Sequence, residues 1–185
     1  MFTTVASRLL KPRAVGVLPT DTVYGLVARA ADPEAVARLY ALKERENKPG
    51  TLIAASIEQL TTLGIKRRYL TAVEQYWPGA VSVVIPCDAK LQYLHQGKFS
   101  LAVRVPDNEE LQALLAYTGP LITSSANLPG EPTAETIAQA KDIFGDKVDF
   151  YFDGGEIKDR QPSTVIRIVD DAIEILRAGA VDIEV

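Results

Sequence analysis

The sequence predicts a single α/β domain, a twisted open mixed sheet with flanking helices, and three observations carry that expectation. Short apolar, β-branched runs alternate with segments whose apolar residues recur at helical spacing. Helix-start and turn residues, not long polar tracts, separate them. The last two runs flank Asp170-Asp171 too closely for a crossover helix, so they form a hairpin and bring antiparallel pairing into an otherwise α/β pattern.

With 185 residues and 47% hydrophobic content, the chain can bury one core and is short for two, so residues 1–185 are read as one domain. No apolar run approaches the roughly 18 residues of a membrane span. The first ten residues lack the charged-then-apolar layout of a secretory signal, and a cytoplasmic location is expected.

The strand candidates are 14–18, 22–28, 51–55, 80–85, 100–105, 119–123, 148–152, 163–169 and 172–177. Asp32-Pro33 offers a cap and a first-turn proline to a helix with Val36, Leu39, Tyr40 and Lys43 in one stripe. Ser56 with Gln59, and Thr71 with Glu74, have capping-box spacing. Asp107 is expected to cap a helix that carries Leu111, Leu114 and Leu115 inward and stops at Gly119; Thr133 is expected to open another that ends at Gly145. Residues 153–162 form the most polar connection, read either as a flap over a ligand or as a plain surface loop.

Composition excludes several chemistries. One cysteine, Cys87, rules out an internal disulfide and a multi-cysteine zinc site, and its place after an apolar strand predicts an inert thiol. One histidine, His95, rules out two-histidine metal motifs; a structural or surface role is expected. A net charge of -4 argues against bulk electrostatic binding of nucleic acid, though not against a local basic pocket. No glycine-rich phosphate loop of either common spacing is present, so a nucleotide would be held by side chains and strand-end loops.

Positive evidence comes from where polar residues fall on strands. Leu121-Ile122-Thr123-Ser124-Ser125-Ala126-Asn127 is an apolar run that opens into hydroxyl and amide groups, either a capped turn or a ligand-binding strand end. Alternation puts Leu101, Val103 and Val105 on one face and Ser100, Ala102 and Arg104 on the other. Arg104 among small neighbours is read as facing either a ligand or a partner carboxylate. Arg167 and Arg177 repeat the pattern of a cation within a strand. Lys43 ends a helix stripe and Arg45 follows it. Lys43 either snorkels to solvent or converges with Arg45 and Lys48 on phosphates.

These segments together resemble the YrdC-like family of threonylcarbamoyl-AMP synthases, in its compact TsaC-type form. The resemblance rests on Pro19-Thr20-Asp21-Thr22-Val23-Tyr24-Gly25-Leu26, Lys43-Glu44-Arg45, Leu52-Ile53-Ala54-Ala55, Trp77-Pro78-Gly79-Ala80-Val81-Ser82, Leu101-Ala102-Val103-Arg104-Val105-Pro106, Ser124-Ser125-Ala126-Asn127, and Gly154-Gly155 followed by Pro162-Ser163-Thr164-Val165. It covers about residues 14–178 and implies a sheet around a large, basic-lined concave cavity. The chain ends soon after the last match, so an extra C-terminal domain is not expected.

The implied reaction makes L-threonylcarbamoyl-adenylate and pyrophosphate from L-threonine, bicarbonate and ATP with Mg2+. The implied partner is a transferase complex that modifies tRNA adenosine. Carried over by position, Thr20, Arg104 and Ser163 would bind threonine, while Lys43, Arg45, Ser82, Ser125, Asn127 and Arg177 would hold ATP, with Lys43 and Arg45 nearest the chemistry. No protein ligand to the metal is assigned. Ser82 stands where many members have Thr, and Arg167 where many have an acid or polar residue. The alternatives are a non-catalytic RNA-binding module and a YciO-like relative with another acceptor. Direct RNA contact stays open.

Overall fold

The computed structural model describes residues 2–44 and 48–184. In chain order the helices are α1 (Phe2–Leu9), α2 (Pro33–Leu42), α3 (Ile57–Leu63), α4 (Arg67–Thr71), α5 (Gln92–His95), α6 (Glu109–Thr118) and α7 (Ile137–Phe144). The strands are β1 (Val15–Pro19), β2 (Tyr24–Arg29), β3 (Thr51–Ile53), β4 (Val81–Pro86), β5 (Ser100–Arg104), β6 (Leu121–Ser125), β7 (Phe150–Tyr151), β8 (Thr164–Val169) and β9 (Ala172–Arg177). All nine strand candidates are present, and they form one sheet in the order β7-β1-β2-β6-β3-β5-β4-β8-β9. It is mixed: β1–β2, β2–β6, β3–β6, β4–β5 and β8–β9 run antiparallel, while β1–β7, β3–β5 and β4–β8 run parallel.

The two faces are covered unequally, and this makes the concavity. On one face, Tyr24, Leu26, Leu52, Val83, Leu101 and Val103 pack with buried residues of α2, α3, α4, α5 and α7 into the main core. The predicted inward set Leu101, Val103 and Val105 lies wholly in it. On the other face, α1 and α6 cover only one end of the sheet, where Val5, Leu9, Leu111, Leu114 and Leu115 meet Leu18, Val27, Ile53, Leu121 and Phe150. Two residues along the strands from Val27, Ile53 and Leu121, the same face carries Gly25, Thr51 and Thr123. Small and hydroxyl side chains there leave space no helix fills.

Local corrections concern helix starts. Asp32 caps α2 as expected, accepting from the amides of Glu34 and Ala35 at 3.1 and 3.0 Å. Ser56 caps α3 through the Gln59 amide, but Gln59 reaches back to the amide of Ala55, not Ser56. Asn108, not Asp107, caps α6, accepting from Leu111 N at 2.8 Å. Thr136, not Thr133, caps α7, and the residues next to Thr133 are instead tied to the end of β6, with Ala134 N donating to Ala126 O. Thr71 ends α4 instead of opening a helix, and a 3-10 turn follows at 74–76. α1 has no counterpart among the expected elements.

Candidate functional site

The polar side chains of the sheet meet in a recess lined in part by Thr20, Gly25, Thr51, Thr123, Ser163 and Arg177. Gly25 is dictated by packing: a Cβ there would lie 2.6 Å from Thr123 Oγ1 and 3.3 Å from Thr20 Cγ2. Its neighbour across the β2–β6 ladder is Ser125, which delivers the end of β6 to the recess wall.

One side of the recess is a continuous hydrogen-bonded chain. Arg104, 3% exposed, donates from Nη2 to Asp21 Oδ1 at 2.8 Å and from Nη1 to Ser82 Oγ at 3.1 Å. The hydroxyls of Ser82 and Ser163 lie 2.8 Å apart. Arg177 completes the chain with bonds to Ser163 O at 2.7 Å and Ser163 Oγ at 3.1 Å. Neighbouring strands β5 and β4 supply Arg104 and Ser82, so residues far apart in sequence become adjacent through sheet order. Ser163 is fixed from behind by close backbone packing. A Cβ on Gly179 would sit 2.3 Å from Pro162 O, and Ala180 N donates to that same carbonyl.

The other side is built around Lys43. Its backbone caps the C-terminus of α2, and its ammonium donates to Ser125 O at 2.8 Å and Asn127 Oδ1 at 2.7 Å. Ser125 Oγ also donates to Asn127 Oδ1, at 2.6 Å. With 2% of its surface exposed, Lys43 does not snorkel to solvent. A buried ammonium needs several acceptors to offset its desolvation, and the opened end of β6 supplies them.

Thr20 lines the recess, but its hydroxyl is committed to the β1–β2 turn. It donates to Val23 O at 2.7 Å and accepts from the amides of Thr22 and Val23. The structure thus brings Thr20, Lys43, Ser82, Arg104, Ser125, Asn127, Ser163 and Arg177 into one region. Arg45 lies outside the described residues. Lys48 is exposed. Arg167 is not part of the recess: it sits opposite Glu174 in the β8–β9 ladder and pairs with it at 2.6 Å, both about half exposed. Arginine in this strand faces a cross-strand carboxylate, away from the residues that line the recess.

Sequence reasoning missed Asp21 as a site residue. The one signal for it was an acid at the end of β1 beside the two threonines, and only the tertiary structure places it against Arg104. The 153–162 connection is tied down along its first half. Tyr24 OH donates to Gly155 O at 2.7 Å and accepts from Gly154 N at 3.0 Å, and Ile157 N donates to Glu135 O. Burial pushes the Tyr24 phenol above its ordinary value, partly offset by the Gly154 amide.

His95 is structural and buried. Its Nδ1 accepts from the amides of Gly97 and Phe99. Cys87 is also buried, and burial pushes its thiol up to about 11, helped by the charge of Asp88. No helix among the described residues is long and apolar enough to cross a membrane.

Comparison with known proteins places these features in context. The Sua5/YciO/YrdC family profile, described as telomere recombination, matches residues 8–179. A threonylcarbamoyl-AMP synthase of Bacillus subtilis is 32% identical over 182 residues, 95% of this chain and 53% of the relative. One from Stutzerimonas stutzeri is 34% identical over 163 residues, covering 86% of this chain and 88% of the relative. The crystal structure of P. abyssi Sua5 complexed with L-threonine superposes with a TM-score of 0.84 at 30% identity, covering 96% of this chain and 54% of that one. The chain therefore spans about half the length of the Bacillus and P. abyssi relatives and most of the Stutzerimonas one.

Proposed function

Because the chain belongs to the Sua5/YciO/YrdC family, we propose that it is an L-threonylcarbamoyladenylate synthase, which forms threonylcarbamoyl-AMP and pyrophosphate from L-threonine, bicarbonate and ATP. The observation that carries this reading is a recess lined by Arg104, Ser163 and Arg177 together with the β6 end at Ser125, whose backbone carbonyl accepts from the buried ammonium of Lys43.

The chemistry needs no strong protein base. The threonine amine adds to the carbon of bicarbonate and water leaves, giving a carbamate. A carbamate oxygen then attacks the α-phosphorus of ATP, the bond to the bridging oxygen breaks, and pyrophosphate departs. Such a displacement depends on positioning and on neutralising charge. In this reading Arg104 and Ser163 hold the threonine end, with Thr20 shaping it through backbone and methyl contacts. Ser82, Ser125, Asn127 and Arg177 line the path to the phosphates, and Lys43 and Arg45 neutralise them. Ser82 bonds to both Arg104 and Ser163, so it borders the threonine end directly.

Magnesium fits as the companion of ATP, held by phosphate oxygens and water. No group of three or more His, Cys, Asp or Glu suited to a metal forms among the described residues. A cytoplasmic location and transfer of the product to a tRNA-modifying complex complete the proposal.

The test incubates the protein with ATP, magnesium, L-threonine and isotopically labelled bicarbonate, and seeks labelled threonylcarbamoyl-adenylate by mass. Serine and other amino acids run in parallel. Threonine-dependent product supports the assignment, and turnover that favours another acceptor points to the YciO-like alternative.

A further inference from the structure

Resting on the synthase reading and deepening it, we propose that Asp21 sets the charge preference of the recess, so that its arginine end takes a zwitterionic α-amino acid and discriminates against a simple carboxylate. Asp21 and Arg104 pair at 2.8 Å with side chains only 4% and 3% exposed. The pair is neutral as a unit, in surroundings where water screens little. It is also incompletely satisfied. Arg104 Nε and Asp21 Oδ2, the second donor and second acceptor of a two-pronged guanidinium–carboxylate pair, find no partner among the described residues.

Arg104 Nη1 is drawn instead to Ser82 Oγ, which holds the guanidinium to a single contact with Asp21. Ser82 is in turn anchored by Ser163, so the turn of the guanidinium is set from β4. A buried donor and a buried acceptor left unpaired are both costly. Arg104 lines the recess and Asp21 lies 2.8 Å from it, so a ligand there meets the field of both charges, its carboxylate attracted by the guanidinium and its ammonium by Asp21. A hydroxy acid brings only the first group and meets the charge of Asp21 uncompensated. Replacing Asp21 by Asn keeps the shape, leaves Arg104 without its counter-charge, and turns the preference towards plain anions.

The experiment measures binding of L-threonine and of (R)-3-hydroxybutyrate, which is threonine without its α-amino group, to the wild type and to Asp21→Asn by titration calorimetry. The wild type is expected to favour threonine. The threonine-to-hydroxybutyrate affinity ratio is expected to fall by about 10-fold or more in the variant, the low end for one unit charge a few ångströms away at intermediate dielectric. A purely structural Asp21 would weaken both ligands together. An unchanged ratio in a folded variant therefore overturns the proposal while leaving the synthase reading intact.

Should the variant fail to fold, as judged by circular dichroism, the wild type decides: a ratio near one overturns the proposal and a strong preference for threonine supports it. If the wild type binds no threonine, the synthase reading falls. The role of Asp21 then stands only if alanine and serine are bound in preference to lactate and glycerate, and falls otherwise.

Discussion

The ammonium of Lys43, at the end of α2, bonds to the backbone carbonyl of Ser125 and the side-chain oxygen of Asn127 at the end of β6, more than 80 residues later in the chain. One buried cation thus ties the chain after β6 to the end of α2.

Lys43→Met should affect both roles by different amounts. If Lys43 neutralises the phosphates as proposed, its loss is expected to lower kcat/KM for ATP by on the order of 100-fold, as for other preorganised electrostatic groups. Buried acceptors left at Ser125 and Asn127 are expected to lower stability by about 1–3 kcal/mol. Pyrophosphate release and a denaturant melt measure the two separately, and full turnover in a folded variant would remove Lys43 from the chemistry.

Gly25→Ala tests the floor of the recess. Its new methyl would fall 2.6 Å from Thr123 Oγ1, with β2 and β6 locked by their ladder on either side. Overpacking of this kind costs about 1–3 kcal/mol, so a lower Tm and weaker threonine binding are expected together.

Gly179→Ala tests how Ser163 is held. The clash is with backbone atoms of Pro162 and Ser163, which cannot rotate away as a side chain would. Displacement of Ser163 is expected to loosen its links to Ser82 and Arg177. Raised KM for threonine, with a smaller change in kcat, is the expected signature.

Cys87 should be unreactive in the native protein. With its thiol at about 11, roughly one molecule in a thousand carries a thiolate at pH 8, and the thiolate is the reactive form. Reaction with a disulfide reagent is expected only as fast as the protein opens, and urea should restore an ordinary thiol rate.

Acid stability should depend on Asp32 and Asp149. Burial pushes Asp32 up, but the amides of Ala35, Arg13 and Glu34 pull harder, and its carboxyl lies below its ordinary value. Asp149 is likewise lowered against burial, by the Val15 amide and Arg38. A carboxyl depressed by folding contributes stability above its unfolded value near 4 and loses it as pH falls through the folded value. Both groups are partly open to solvent, so the contribution is modest. Melts between pH 7 and 2 should fall less steeply for Asp149→Asn than for the wild type.

Much of the fold was legible because its signals are local. All nine strands follow from β-branched runs, and Asp32-Pro33 marks the start of α2 with its own backbone bonds. Helix starts with two adjacent cap formers were misplaced, because Asp107 and Asn108 are equivalent locally and the inward set by Leu111 and Leu114 decides between them. Arg104, Arg167 and Arg177 looked alike as cations in strands. Their fates diverge because Arg104 and Arg177 face the serines of neighbouring strands while Arg167 faces Glu174.

Apolar spacing, turn residues and the ordered polar motifs determined from sequence alone which segments become strands, which helix Lys43 ends, and which family the chain resembles. Only the tertiary structure decided that Asp21 neutralises Arg104, that Lys43 turns inward, and that Ser82 links Arg104 to Ser163. Periodicity records which way a side chain points from its own backbone. Which charge waits opposite it depends on strand order across a nine-stranded sheet, and no local pattern encodes that.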